Sequence, residues 1–354
     1  MQIGNVEIEH PFVQAALSGY SDLPMRRIAR MLGASYTINE VVLDKSVNQK
    51  GKLRDRILSV EPDDHPVGGQ LMGADPDDFA PAARALADAG YDVIDINFGC
   101  PVRKVLGRCR GGFLLSDPPT AIEIVRRVVD AVGGDKPVTV KMRRGMDDSP
   151  ESERNFFAIM DGAFELGVSA ITVHGRTVEQ RYIGPSRWEF LASVKRRAGN
   201  NVVLGSGDLF TAQACIDMME QTGVDGVTIA RGAIGNPWIF RECLALASGK
   251  PLPDPPTIVE QRETLAAHFA ESVRTHGEQL AGKLMRKFGI KYSELHPEPR
   301  NVRDAFIAVK TPTEFGDVLD RWYNPNHPWP PITRPQEPTD LVAAGATMSC
   351  NASR

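Results

Sequence analysis

The sequence has few cysteines and no closely spaced pair of them. Its five cysteines lie far apart in the 354-residue chain, and no C-x-x-C motif occurs; they are Cys100, Cys109, Cys215, Cys243 and Cys350. An odd number of scattered cysteines argues against a disulfide framework, a structural zinc site and an iron–sulfur cluster. We therefore expect no bound metal and a reducing compartment.

The sequence also lacks the features of export and of membrane insertion. Its first residues, Met-Gln-Ile-Gly-Asn-Val-Glu, contain neither a basic stretch nor an apolar one. No later run reaches the roughly 20 apolar residues of a membrane span. We expect a cytoplasmic protein without membrane contact. The net charge is only −4, so any contact with a nucleic acid has to use a local basic surface.

Eight short apolar runs end at small or polar residues and are predicted to be buried strands. They are residues 12–17, 35–41, 67–72, 91–97, 138–143, 170–174, 202–206 and 226–230. Helical spacing is present between many of them, at 75–89, 118–132, 151–166 and 212–221. This alternation favours an α/β fold with parallel pairing, and eight units predict a (β/α)8 TIM barrel. A doubly wound open sheet is the alternative, although no G-x-G-x-x-G motif follows the first run.

The composition changes after residue 250. We predict a barrel domain at 1–250, a stiff proline-rich linker, a small C-terminal helical domain at 257–325 and a disordered tail at 326–354. In the helical part, Lys283, Lys287 and Lys291 recur every four residues and therefore share one helix face, with Arg286 nearby. Such a row is commonly just solvated, but it also suits a phosphate backbone.

A cysteine follows the fourth predicted strand, in the segment Asp95-Ile-Asn-Phe-Gly-Cys-Pro101. Reactive groups of α/β proteins are commonly placed at such strand ends. Residues 101–115 contain no acid and four bases, Arg103, Lys104, Arg108 and Arg110, so we expect this loop to attract an anion. The alternative is that Cys100 only fills space in the core, as many cysteines do. The polar Asn97 on the same strand end favours a functional site.

Polar residues stand at the ends of most of the other predicted strands as well. They are Gln70, Lys141, Arg143, His174, Arg176, Ser206, Asp208 and Arg231. Any one of them alone is also explained as a structural polar residue. In a TIM barrel, however, the carboxyl ends of all strands face one mouth, so together they predict one site. Gly205, Gly207 and Arg231 further predict a phosphate-binding corner, in which residues 230–233 open a helix.

Five segments, taken together, resemble the tRNA-dihydrouridine synthase family. They are residues 95–104 (DINFGCPVRK), 140–143 (VKMR), 174–177 (HGRT), 205–208 (GSGD) and 229–240 (IARGAIGNPWIF). Each is short, but their common order is specific. The similarity extends over about residues 8–325, with features of the bacterial B-type branch. It implies an FMN-dependent enzyme that reduces the C5=C6 bond of a uridine in the tRNA D-loop, with NADPH or NADH as reductant.

The resemblance also implies roles for individual residues. Cys100 is expected to be the catalytic acid, which protonates C5 after hydride has reached C6. FMN contacts are implied for Ala16, Leu17, Ser18, Gln70, Lys141, His174, Ser206, Gly207, Asp208, Ala230 and Arg231. Contacts with tRNA, at its D-loop and elbow, are expected from Asn97, Arg103, Lys104, Arg176, Lys283, Arg286 and Lys287. No protein partner is implied.

Two other functions remain open at this point. The first is an FMN barrel that acts on a free pyrimidine, as the dihydroorotate dehydrogenases do, with Cys100 as the base. A separate basic helical domain would then have little purpose. The second is a tRNA-binding chaperone without turnover, against which the presence of Cys100, Lys141 and Arg231 argues.

Overall fold

The computed structural model describes residues 1–334, which form a ring of parallel strands followed by a helical region. The strands are β1 (Gln2–Ile3), β2 (Val6–Glu7), β3 (Phe12–Gln14), β4 (Tyr36–Ile38), β5 (Val42–Leu43), β6 (Val67–Met72), β7 (Val93–Phe98), β8 (Val138–Arg143), β9 (Ala170–His174), β10 (Val202–Ser206) and β11 (Gly226–Ile229). The helices of the barrel part are α1 (Leu23–Met31), α2 (Asp44–Asn48), α3 (Lys52–Ile57), α4 (Pro76–Asp88), α5 (Arg103–Leu106), α6 (Pro118–Val132), α7 (Pro150–Glu165), α8 (Trp188–Ala198), α9 (Ala212–Thr222) and α10 (Ile239–Ala247).

The ring closes because β4 pairs with both β3 and β6. Its order is β3-β11-β10-β9-β8-β7-β6-β4, and each of these pairs is parallel. β5 continues the path of β4, since β4 pairs with residues 67 and 68 of β6 whereas β5 pairs with Leu71 and Met72. The predicted α/β fold, a TIM barrel with a helical C-terminal region, is confirmed.

The observed strands differ from the predicted apolar runs mainly in the first run, 12–17, and the second, 35–41. The first run pairs only as far as Ala15, whose N–H donates to Ile229 at 3.0 Å. Two residues later the N–H of Leu17 donates to the hydroxyl of Ser21 at 2.8 Å instead, so the chain leaves the sheet. The second run is interrupted after Ile38 and resumes as β5. The β1–β2 hairpin was not predicted, because two-residue strands leave no periodic pattern.

Helix starts follow from polar residues that accept backbone N–H groups. Asp75, Asp117, Ser149 and Thr211 cap α4, α6, α7 and α9, each accepting an N–H from the first turn. Such caps satisfy N–H groups that have no partner within the helix. The four helices predicted between strands therefore begin close to where the sequence placed them.

One predicted helix start is wrong. Residues 231–233 form a 3-10 turn, and α10 begins only at Ile239. Gly235 adopts a φ of +76°, and Pro237 follows two residues later. A left-handed residue and a proline cannot continue a helix that starts at Ala230. The corner after β11 is therefore a turn and not a helix N-terminus.

The helical region packs against the carboxyl-terminal side of the barrel. It contains α11 (Ile258–His276), α12 (Glu278–Tyr292), α13 (Pro299–Ala308) and α14 (Pro312–Trp322). Phe269 of α11 stacks on Phe315 of α14, with ring centroids 4.4 Å apart. Three polar contacts join α11 to the barrel part: His276 to Asp22 at 2.9 Å, Glu271 to Arg27 at 2.8 Å and Glu260 to Arg241 at 2.9 Å.

The tail predicted to be disordered, 326–354, lies mainly outside the described residues. Its described part, residues 326–334, contains no helix or strand. There the Trp329 ring packs edge-on against His296 at 4.7 Å between centroids, and its N–H donates to Asn324 at 2.8 Å. Within residues 1–334, no helix has both the length and the apolar character needed to cross a membrane.

Candidate active site

The loop after β7 carries Cys100 at the mouth of the barrel. β7 ends at Phe98, and α5 begins five residues later at Arg103. Cys100 is partly exposed, whereas Cys215 and Cys243 are buried in α9 and α10. Cys109 is exposed beyond α5. Cys100 therefore has the strand-end position that the sequence predicted for it.

Asn97 holds this loop from the barrel side. Its side-chain oxygen accepts the backbone N–H groups of Gly99 at 3.0 Å and of Cys100 at 3.1 Å. Its NH2 group donates to Gln70 at 2.7 Å, and Gln70 donates in turn to Asp95 at 2.7 Å. Both ends of the Asn97 amide are therefore engaged within the protein, which favours a structural task beside the substrate contact predicted for it.

Arg143, at the end of β8, holds the same loop from the opposite side. Its Nε donates to the carbonyl oxygen of Gly99 at 3.0 Å. Its Nη1 donates to the carbonyl oxygens of Thr177 at 2.8 Å and Arg181 at 2.7 Å. Burial lowers the pKa of Arg143 to about 10, so it remains a cation at neutral pH. Arg143 thus connects the Cys100 loop to the loop after β9.

Two glycines pack directly against Cys100. Gly111 has a φ of +58°, and a Cβ on it would lie 2.8 Å from the Cβ of Cys100. Gly112 donates its N–H to the Cys100 carbonyl at 3.1 Å, and a Cβ on it would lie 2.6 Å from Val178. Real Cβ atoms do not approach other atoms this closely, so the close packing behind Cys100 requires glycine at both positions.

Lys141 of β8 brings a cation into the mouth. Its Nζ lies 3.3 Å from the hydroxyls of Ser206 and Thr228, on the neighbouring strands β10 and β11. Burial lowers the pKa of Lys141 to about 8, although the charge of Asp95 acts in the opposite direction. The ammonium is therefore short of compensating negative charge, and an anionic group in the mouth would supply it.

His174 ends β9 as a neutral imidazole. Burial lowers its pKa well below the usual value, and the charges of Arg143 and Lys141 add to the effect. Its Nδ1 accepts the backbone N–H of Arg176 at 3.2 Å, which leaves the proton on Nε2. The side chain can therefore donate one hydrogen bond from Nε2 into the mouth.

The corner after β10 and β11 combines glycines with an arginine. Gly207 has a φ of +114°, and a Cβ on Gly232 would overlap the carbonyl oxygen of Leu209. The guanidinium of Arg231 lies over the Tyr182 ring at 4.4 Å and over the Phe210 ring at 5.1 Å. The nearest carboxylate oxygen of Asp208 is 3.8 Å away. Arg231 is thus held by rings and keeps donors for an anion.

Two residues predicted to contact substrate are placed differently from that prediction. Arg176 is 0% exposed, and its guanidinium donates to Asp208 at 2.7 Å and to the carbonyl oxygen of Gly184. A fully buried side chain cannot reach tRNA, so the predicted contact is corrected to a role inside the corner. Lys287 donates to the carbonyl oxygen of Gly19 and lies 5.0 Å from the Tyr20 ring. It connects α12 to the loop after β3, so its predicted contact with tRNA is not favoured.

The other predicted substrate residues are on the surface. Arg103 and Lys104 are exposed on α5, and Lys283 and Arg286 are exposed on α12. None of these four side chains has an ion pair with another residue in the described part of the chain. They remain available to a polyanion, on two separate elements.

A cavity of about 730 Å³ opens beside the mouth and is called the mouth groove here. It lies between α3, the segment after β4 and the α11–α12 pair, and its lining includes Ser18, Glu40, Leu53, Arg56, Leu284 and Lys287. Of the residues predicted at the end of β3, Ser18 is exposed and lines this groove, whereas Ala16 is partly buried and packs against a buried apolar cluster. The mouth groove contains neither Cys100 nor Lys141 in its lining.

Sequence reasoning missed several residues of this region. Tyr182, which lies under Arg231 and 5.5 Å from Arg143, is in a loop with no local signal. Asp95 and Thr139 are buried polar residues of β7 and β8. A carboxylate inside an otherwise apolar run was a visible signal for Asp95. Residues 1–334 contain no group of three His, Cys, Asp or Glu side chains arranged to hold a metal ion.

Comparison with known proteins gives both sequence relatives and structural neighbours. A family model described as dihydrouridine synthase matches residues 13–325. A probable tRNA-dihydrouridine synthase of Mycobacterium tuberculosis (strain H37Rv) is 34% identical over 330 residues, covering 91% of this chain and 84% of the relative. The tRNA-dihydrouridine synthase B of Pseudomonas aeruginosa is 35% identical over 312 residues, covering 88% of this chain and 92% of the relative.

The solved structures with a similar fold are more distant. Histamine dehydrogenase from Rhizobium sp. 4-9 has a TM-score of 0.54 at 16% identity, covering 76% of this chain and 50% of that chain. Morphinone reductase has a TM-score of 0.53 at 14% identity, covering 72% of this chain and 90% of that chain. At such identities the likeness supports the barrel fold and nothing further.

Proposed function

Because the chain belongs to the dihydrouridine synthase family, whose members reduce uridines in tRNA, we propose that it forms 5,6-dihydrouridine in the tRNA D-loop with FMN as cofactor and NADPH or NADH as reductant. The resemblance inferred from the five sequence segments is confirmed by the match over residues 13–325. The observation that carries the finer proposal is the fixed position of Cys100. Its loop is held by Asn97 and Arg143 at the same mouth that contains Lys141 and His174.

The residues at the mouth fit FMN. A flavin mononucleotide needs hydrogen-bond donors along its ring edge and cations at its phosphate. Lys141 and His174 would donate to the ring edge, and Arg231 with the Gly207 and Gly232 backbone would hold the phosphate. The buried Nη1 of Arg176 has no partner in the described structure, and it also belongs to this corner. FMN held by these residues would provide the hydride chemistry at C6.

Cys100 would complete the reduction by proton transfer. As C6 gains hydride, negative charge builds towards O4 and C5, and the thiol of Cys100 gives its proton to C5. The sulfur becomes a thiolate, and the Arg143 cation stabilises it by charge attraction. Solvent then returns the proton. A positioned acid of this kind typically contributes a factor of about 10² to 10⁴ to the rate.

The tRNA would approach over the mouth groove. A uridine inside the folded elbow has to turn out of its stack to reach a barrel mouth. Ser18, which follows β3, lines the groove, and α12 forms one of its walls. Lys283 and Arg286 on this helix, and Arg103 and Lys104 on α5, would bind backbone phosphates on two sides of the turned-out base.

The proposal is tested by tRNA modification with the purified protein. Wild-type protein with FMN and NADPH should convert uridine in unmodified tRNA to dihydrouridine, detected by nucleoside mass spectrometry. Cys100→Ala should lower kcat by a factor of about 10² or more while leaving FMN content unchanged. Cys109→Ala is the matched control, because that thiol is exposed beyond α5, and it should keep wild-type kcat.

Three results would reject the proposed function. Full activity of Cys100→Ala would remove the cysteine from the reaction. Reduction of a free pyrimidine at a rate that equals or exceeds the rate on tRNA would support the dihydroorotate-dehydrogenase-like alternative instead. A protein that binds tRNA but forms no dihydrouridine with either nicotinamide nucleotide would correspond to the chaperone alternative.

A further inference from the structure

Asp95 is a buried carboxyl group that the proposed proton and hydride transfers do not use. It lies in β7, is 1% exposed, and accepts hydrogen bonds from Thr139 at 2.5 Å and from Gln70 at 2.7 Å. A buried carboxylate costs free energy unless partners compensate it. An apolar residue would suit an interior strand position better. The stability of the strand therefore does not explain why a carboxyl group stands at this position.

We propose that Asp95 is a positioning residue, which fixes the orientation of the Cys100 loop through the side-chain amides of Gln70 and Asn97. The inference rests on the proposed role of Cys100. A carboxylate can only accept hydrogen bonds, so Gln70 has to turn its NH2 group towards Asp95. The oxygen of Gln70 then faces Asn97, 2.7 Å away, and requires a donor there.

The same requirement passes on to Asn97. Since its NH2 group is directed to Gln70, its oxygen is directed to the loop. There it accepts the N–H groups of Gly99 and Cys100, at 3.0 and 3.1 Å. One carboxylate thus selects one of two orientations for each amide in turn, and the last amide fixes the loop. Asp95 acts on the reaction without touching substrate.

The opposite orientation would release the loop. If Gln70 turned its NH2 group towards Asn97, Asn97 would have to turn its own NH2 group towards the loop. Two backbone N–H groups would then lose their acceptor, which is costly for any that stays buried. The carbonyl side of the loop has separate anchors, because Arg143 holds the Gly99 carbonyl and Gly112 holds the Cys100 carbonyl. Asn97 holds the N–H side.

Two substitutions of Asp95 separate orientation from charge. Asp95→Ala removes the acceptor for Gln70 and should lower kcat on tRNA by about 10- to 100-fold, the usual effect of displacing a reacting group by about 1 Å. Its KM for tRNA and its FMN content should stay within twofold of wild type. Asp95→Asn should recover most of the loss, because its oxygen can accept from Gln70 while its NH2 group donates to the Thr139 hydroxyl.

Alkylation of Cys100 gives a readout without tRNA. The rate of carbamidomethylation by iodoacetamide, resolved for Cys100 by peptide mass spectrometry, should rise several-fold in Asp95→Ala and return towards wild type in Asp95→Asn. Should Asp95→Ala not fold, Gln70→Leu interrupts the same chain of hydrogen bonds and should show the same faster alkylation. Cys109, measured in the same digest, is the internal control and should react at one rate in all variants.

The outcomes are distinguishable from failure of the proposed function. Asp95→Asn as slow as Asp95→Ala would show that charge matters and orientation does not, which overturns the inference. Wild-type alkylation and turnover in Asp95→Ala, or wild-type alkylation in Gln70→Leu, would overturn it as well. If wild-type protein formed no dihydrouridine, the proposed function would fail, while the alkylation rates would still decide whether Asp95 positions the loop.

Discussion

Replacing Lys141 by methionine should stabilise the flavin-free protein and at the same time remove its cofactor. The folded state lowers the pKa of Lys141 from 10.5 to about 8. At about 1.4 kcal/mol for each pH unit, burying this ammonium costs up to about 3 kcal/mol at neutral pH. The substitution also loses the two weak hydrogen bonds at 3.3 Å to Ser206 and Thr228. These are worth about 0.5–1 kcal/mol each, which leaves an expected net gain of about 1–2 kcal/mol.

The sign of the pH dependence follows from the same values. The unfolded chain keeps the Lys141 proton up to about pH 10.5, whereas the folded chain releases it near pH 8. Wild-type protein therefore becomes more stable as the pH rises from about 8 to about 10.5, because the folded state no longer has to bury a charge. The advantage of Lys141→Met should be largest at pH 7 and clearly smaller at pH 9.5.

Urea unfolding of flavin-stripped protein at pH 7 and pH 9.5 measures this difference. Lys50→Met is the matched control, since Lys50 is exposed, and it should leave the free energy of unfolding unchanged within about 0.5 kcal/mol. FMN titration of the same samples should show loss of binding only for Lys141→Met. The reasoning would be refuted if Lys141→Met were less stable than wild type at pH 7. It would also be refuted if the stability difference between the two proteins were the same at both pH values.

Three further outcomes follow from the geometry. Gly112→Ala should lower kcat at least tenfold with FMN retained, because the new Cβ would lie 2.6 Å from Val178 and 3.0 Å from the Cys100 carbonyl; Gly316→Ala, with nothing within 4 Å, is its neutral control in the same kinetic assay. Lys283→Glu with Arg286→Glu should weaken tRNA binding and reduce the slope of log Kd against log salt by about 2; an unchanged slope in fluorescence anisotropy would exclude both residues. Burial raises the pKa of Asp22, but His276 and nearby cations outweigh it and lower this pKa. Asp22→Asn should therefore lower the free energy of unfolding, measured in urea at pH 7, by about 1 kcal/mol, and the difference should shrink as acid protonates the wild-type carboxyl. An equal difference at pH 3 would contradict this.

The barrel was predictable because each strand carries its own signal. β8, β9 and β10 are short apolar runs that end at polar residues, and β6 is a short run that carries Gln70 near its end; the observed bounds of all four equal the predicted ones. Periodicity and flanking residues are local properties, so no knowledge of the partner strands was needed. Strand-end residues were equally accessible, since the topology brings the ends of all eight strands to one mouth.

Side-chain partners were not predictable in this way. Arg176 stands at a strand end like its neighbours, but the loop that contains Gly184 folds over it and buries it completely. Lys287 belongs to a regular basic row, yet its ammonium reaches Gly19, which lies 268 positions earlier in the chain. Spacing within a helix shows which residues share a face, and it does not show what that face meets.

The contacts of α11 and α12 with the segment after β3 have a practical consequence for exchanging parts between relatives. Lys287 of α12 donates a hydrogen bond to Gly19, and His276 of α11 pairs with Asp22. Residues 16–22, which include the FMN contacts proposed at residues 16–18, therefore also serve as the docking platform of the helical region. A chimera that imports a foreign helical region to redirect the enzyme to another uridine would have to import this seven-residue platform with it. Otherwise the foreign helical region would lose these two contacts, and the flavin site proposed at the end of β3 would be disturbed.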